Sequence, residues 1–124
     1  MKKVLFFSPD FSLCYSLLMY LQDKYNVTSS TDFNLLISLA KNGDFDLVII
    51  DSQPDNKIKE LCREIKKLSL KVKIVLTYVY NKNLKETDKE LRNCVSAIFY
   101  KPIDLMEVSQ SLIHISNGTH QSAV

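Results

Sequence analysis

The sequence predicts an α/β domain in which five strands form one doubly wound parallel sheet. Two observations carry this. Short apolar runs, rich in β-branched and aromatic residues, alternate with stretches whose apolar residues recur at helical spacing. Each strand is followed by a helix, five times over, which is the pattern of a parallel sheet covered on both faces. A third observation bears on chemistry. Three strands end on polar side chains, Asp51, Thr77 and Lys101, at the sheet edge where open α/β folds place their sites.

The elements follow in order. Val4 to Phe7 is a first strand, and Ser8-Pro9-Asp10 turns into a helix from about Phe11 to Lys24. Leu13, Leu17, Leu18, Tyr20 and Leu21 give that helix an apolar face. Tyr25 to Thr28 is a short strand. Ser29-Ser30-Thr31-Asp32 supplies capping chemistry for a helix running to about Lys41. Asn42-Gly43 ends it, with Gly43 suited to a left-handed cap. Leu47 to Ile50 is a buried strand, too short for a helix. Asn56 to Leu68 is a helix with Ile58, Leu61, Cys62 and Ile65 on one side. Val72 to Leu76 is the fourth strand, Leu84 to Cys94 a highly charged helix and Ala97 to Tyr100 the fifth strand. Asp104 to about Ser116 is the last helix, with Leu105, Val108, Leu112 and Ile113 facing inward. The domain is expected over 1–117, and residues 118–124 as a polar tail or the start of a linker.

Composition narrows the function. A chain of 124 residues is long enough for one domain with a real core. A net charge of +2 gives no case for nucleic acid or a membrane surface. The basic cluster Lys57, Lys59, Arg63, Lys66 and Lys67 reads as a solvated helix face. Cys14, Cys62 and Cys94 form no C-x-x-C pair, so buried free thiols in a reducing cytoplasm are expected. The apolar start breaks at Ser8-Pro9-Asp10, too soon for a signal peptide, and no segment is long enough to span a membrane. With Gly43 and Gly118 as the only glycines, a Gly-rich phosphate loop is excluded. Ser8-Pro9-Asp10 is also too short to cradle a flavin phosphate.

An acid that accepts a phosphoryl group, with a hydroxyl and an amine to hold it, is what Asp51, Thr77 and Lys101-Pro102 offer together. On these residues and their spacing, the chain resembles the receiver domain of bacterial two-component response regulators. The resemblance implies a flavodoxin-like sheet in the order 2-1-3-4-5, and a signalling module rather than an enzyme. It implies that Asp51 is the phosphoacceptor, with a histidine kinase or another signalling protein as partner. Thr77 matches the hydroxyl that binds the phosphoryl oxygen, Lys101 the lysine that contacts both groups, and Pro102 the proline that aims it.

The departures matter as much. Such domains carry two acids after the first strand to hold magnesium; here Ser8 and Pro9 stand there. Asp10, one residue on, is the remaining acidic candidate ligand and is equally suited to cap the following helix. Magnesium binding is thus expected to be weak. In Ser52-Gln53-Pro54 the proline comes one residue early. Tyr78 replaces a small residue and is expected to screen Asp51. Ile98 replaces an aromatic switch residue, with Tyr100 on the same side of the strand. The expected function is therefore an atypical receiver acting by protein–protein contact, with phosphorylation weakened or absent. The alternative is a competent receiver phosphorylated at Asp51, standing alone or cut from a larger regulator. A homodimer through the fourth helix, fifth strand and fifth helix is a further possibility, with the charged fourth helix either solvated or at that interface. Direct nucleic-acid binding is not expected.

Overall fold

The computed structural model describes residues 1–117; the expected tail over 118–124 lies outside them. Five parallel strands, β1 (Lys3–Phe7), β2 (Asn26–Ser30), β3 (Leu47–Asp51), β4 (Lys73–Tyr78) and β5 (Ala97–Tyr100), form one sheet in the order β2-β1-β3-β4-β5. Between and after them lie α1 (Phe11–Leu21), α2 (Phe33–Asn42), α3 (Asn56–Leu68), α4 (Lys85–Arg92) and α5 (Leu105–Ser116). The flavodoxin-like class and strand order are those expected. None of these helices is long and apolar enough to cross a membrane.

Strand alternation divides the core in two. Val4, Phe6, Leu47, Ile49, Val75, Ala97 and Phe99 point to one face, where α1 and α5 cover them with Leu17, Leu21, Val108 and Leu112. Leu5, Phe7, Val48, Ile50, Ile74, Leu76, Tyr78 and Ile98 point to the other, under α2, α3 and α4. The central strands are apolar on both faces because both are covered.

Four of the five helices start on an aspartate. Asp10, Asp32, Asp55 and Asp104 accept hydrogen bonds from the first free backbone amides of α1, α2, α3 and α5. Each such cap stabilises its helix by about 1 kcal/mol. The start of α4 differs: Asn81 caps a 3-10 turn over Lys82–Leu84, and the α-helix begins only at Lys85.

Several expectations are corrected. The first helix ends at Leu21 and leaves Tyr20 exposed, so Tyr20 is not part of the buried face. The second strand runs two residues further than expected, and Ile113 of α5 is partly exposed. Gly43 is extended, with φ −84° and ψ 166°, and is not a left-handed cap. A Cβ there would lie 2.4 Å from the Phe45 ring and 2.6 Å from the Leu39 carbonyl oxygen. Glycine is required by that close approach, not by φ. Cys14 and Cys62 are buried free thiols as expected, whereas Cys94 is only half-buried. Burial pushes the Cys62 thiol up to about 12, which keeps it protonated.

Candidate functional site

The site is the continuation of one strand face. Ser8 extends the Val4–Phe6 series, Asp51 the Leu47–Ile49 series, Thr77 follows Val75, and Lys101 follows Ala97 and Phe99. Parallel register sets the acid beside the hydroxyl, because Asp51 pairs with Thr77. The β1–β3 pairing of Phe7 with Ile50 brings Ser8 alongside from the other flank. A bond from the Lys101 amide to the Tyr78 carbonyl, 2.9 Å, carries the β4–β5 ladder one residue further and delivers the amine. The Lys101–Pro102 peptide is cis.

Asp51 is 3% exposed, and both carboxylate oxygens are engaged. Ser8 Oγ donates to Oδ2 at 2.7 Å, and Thr77 Oγ1 donates to Oδ1 at 2.7 Å. Lys101 Nζ lies 3.3 Å from Oδ2 and 3.2 Å from Oδ1. A buried carboxylate needs such partners, and here one cation and two hydroxyls supply them. Ser8 is itself fully buried, and its Oγ accepts from the Asp10 amide at 3.0 Å. Below it, the Cys14 thiol donates to the Ser8 carbonyl at 3.5 Å. Burial raises that thiol; the Ser8 bond opposes this, and the Asp51 and Asp10 charges add to it.

The donor set does not fit the magnesium that the resemblance implies. Magnesium takes near-octahedral oxygen ligands with carboxylates among them. Pro9 has no donor, and Ser8 spends its proton on Asp51. Asp10, the expected acidic candidate, instead caps α1 through the amides of Ser12 and Leu13. Among the described residues no three His, Cys, Asp or Glu side chains are grouped to hold a metal.

Of the residues singled out in the sequence, Asp51, Thr77 and Lys101 are brought together. Tyr78 is not: it follows Thr77 and so points to the opposite face, fully buried. The expected screening of Asp51 by Tyr78 is corrected by that alternation.

What Tyr78 meets instead was missed. Its hydroxyl donates to Asp88 Oδ2 of α4 at 2.5 Å. Tyr100, on the same face as Ile98, donates to that oxygen at 2.8 Å. Arg92 Nε donates to Asp88 Oδ1 at 2.9 Å, and another Arg92 nitrogen to the Tyr100 hydroxyl at 2.9 Å. The Tyr78, Tyr100 and Tyr80 rings lie against one another at 5.8 and 5.0 Å. Burial acts to raise the Asp88 carboxyl, but the hydrogen bonds from Tyr78, Tyr100 and Arg92 outweigh it and hold it below the usual carboxylate range. Burial, and then the Asp88 bond, push the Tyr78 and Tyr100 hydroxyls up. Thus the helix expected to be merely solvated or intermolecular buries one of its charges.

Gln53 was also missed. From the loop after β3 its Oε1 accepts from the Val79 amide at 2.8 Å, and its Nε2 donates to the Val79 carbonyl at 3.2 Å. This two-point bond ties the loops above β3 and β4, the two strands that carry Asp51 and Thr77. Gln53→Ala is expected to speed Val79 amide exchange several-fold, read by hydrogen–deuterium exchange, while the global unfolding midpoint moves little.

No family model and no curated protein matches the sequence. Solved structures do. A response-regulator receiver domain protein of Methanospirillum hungatei is 20% identical over 95% of both chains, with a TM-score of 0.81. The receiver domain of the Francisella response regulator 1452 is 14% identical over 95% of this chain and 98% of its own, with a TM-score of 0.79. A chemotaxis protein of Vibrio cholerae is 20% identical over 93% and 98%, with a TM-score of 0.74. Identities this low speak to fold: the chain folds as a response-regulator receiver domain does.

Proposed function

We propose that this chain is an atypical receiver module that signals by binding a partner protein. Asp51 holds the phosphoacceptor position, and magnesium-dependent phosphorylation is weakened or absent. One observation carries the reading: the residue facing Asp51 from β1 is the hydroxyl of Ser8, donating at 2.7 Å, where a metal-binding carboxylate is needed. Phosphoryl transfer depends on neutralising charge on the transferring group. Among the described residues, Lys101 is the one cation bonded to Asp51. An attacking oxygen must also first give up a hydroxyl donor. The cost of leaving that donor unpaired, about 1–3 kcal/mol, adds to the barrier.

The partner is a histidine kinase or another signalling protein. The docking face is that of α4, β5 and α5, where Met106 of α5 is exposed and the exposed Val79 and Tyr80 lie in the segment that leads from β4 to α4. A homodimer through the same face is the alternative occupant. The competent-receiver reading keeps one supporting observation, since Asp51, Thr77 and Lys101 are all in bonding contact.

Intact mass after incubation with a small phosphodonor and magnesium decides between the two. The expected result is no phosphoryl gain under conditions that label an ordinary receiver. A gain that disappears in Asp51→Ala would establish a working phosphoacceptor and overturn the proposal.

A further inference from the structure

At the sheet edge opposite Asp51, the C-terminal half of α3 and the turn joining α4 to β5 enclose an open groove. Its volume is about 520 Å³, and Arg63, Lys66, Lys67, Leu70, Asn93 and Cys94 line it. That size is within the range of a ligand-binding cleft. Its apolar surface comes from Leu70, whose side chain is almost wholly exposed, and from the half-buried Cys94. The long stems of the three cations add to it.

Charge is concentrated there. Residues 56–73 hold seven basic and two acidic side chains, in a chain whose net charge is only +2, and of the seven Arg63, Lys66 and Lys67 line the groove. Both acids are already engaged: Glu60 with Arg63 at 3.3 Å and Glu64 with Lys41 at 2.7 Å. Lys66, Lys67, Lys71 and Lys73 have no ion-pair partner among the described residues. Lys66 bonds the Val72 carbonyl instead, at 2.5 Å. Burial first, and then the neighbouring Lys73 charge, lower its affinity for a proton. Crowded cations beside an apolar floor favour an occupant that is acidic and has an apolar anchor.

We propose that this groove docks an acidic segment of a partner protein. One apolar side chain of the segment rests on Leu70 and Cys94, and flanking carboxylates meet Arg63, Lys66 and Lys67. This surface lies at the other end of the strands from the Asp51 site, and its occupancy does not depend on Asp51.

The test is a titration of the full chain, followed by amide NMR, with a synthetic peptide of four glutamates around one leucine. Saturable shifts are expected at Leu70, Asn93 and Cys94, and equally in Asp51→Asn. Raising the salt from tens to hundreds of millimolar, or Arg63→Glu with Lys67→Glu, is expected to weaken binding about tenfold or more. Both substituted side chains are exposed, so the fold is retained. A counterpart peptide with glutamines for the glutamates needs no variant and is expected to give no saturable shift. The proposal is overturned if the glutamate peptide gives none, if the glutamine peptide does as well, or if inorganic phosphate alone reproduces the same shifts.

Discussion

Asp88→Ala is expected to cost about 2–3 kcal/mol of folding stability. The reason is what it leaves behind. Tyr78 is fully buried, and its hydroxyl has Asp88 as its acceptor. Arg92 is partly exposed, with its side chain 30% accessible, so water compensates it in part. The charge pair alone is therefore worth less than a fully buried one. The main loss is the orphaned tyrosine hydroxyl and the detachment of α4, which has no side-chain cap of its own. Tyr78→Phe removes the hydroxyl and leaves the ring packing, so it is expected to cost less, about 1.5 kcal/mol. Chemical denaturation of the two variants orders these effects; equal midpoints for wild type and Asp88→Ala would show that the cluster does not hold α4.

The same cluster sets a pH dependence. The Asp88 carboxyl is held below its usual range in the folded chain, so the unfolded chain binds its proton more readily. Its contribution to stability is complete above the unfolded carboxylate range, near pH 4, and is lost as pH falls through the lower folded value. An acid titration of stability is expected to be less steep in Asp88→Asn than in the wild type below about pH 4. An unchanged slope would remove Asp88 from the account.

Period-two alternation explains both what the sequence revealed and what it hid. The strands were legible as strongly apolar runs, and the trio Asp51, Thr77 and Lys101 because each closes one of them; the strand order followed only from the resemblance that trio carries. Ser8 stands in the same series as Val4 and Phe6, which sets the face its hydroxyl takes, but its approach to Asp51 needs the β1–β3 pairing of Phe7 with Ile50. Alternation also excluded Tyr78 from the Asp51 side once Thr77 was placed there. Asp88 was not legible. It lies among Lys85, Glu86, Lys89 and Glu90, and nothing local separates a buried acid from solvated ones. Only the pairing of Tyr78 with Tyr100 across β4 and β5 makes a polar socket for it. Gln53 belongs to the same class, since its partner Val79 is distant in sequence and is brought near by the β3–β4 pairing.

Ser8→Asp tests the central claim from the opposite direction, by supplying the missing charge. The new carboxylate would occupy a fully buried position whose present hydroxyl is 2.7 Å from Asp51. Two carboxylates so close cannot both ionise without help, so one is held protonated. In the absence of metal the variant is expected to lose about 2–4 kcal/mol. That acid's folded pKa lies above its unfolded value, so the variant is expected to recover stability as pH falls and to lose it as pH rises through the raised value. Magnesium would supply positive charge there, with the two carboxylates as candidate ligands. At a hundred times its dissociation constant it would return about 2.7 kcal/mol. Ser8→Ala serves as the companion, because it removes the hydrogen bond without adding charge and is expected to show no magnesium response. The unfolding midpoint of each form, with and without magnesium, separates the cases. A magnesium-dependent rise confined to Ser8→Asp places the metal deficit at this one side chain. An equal rise in the wild type would mean that Asp51 recruits the ion without a second acid, and the atypical reading would fall.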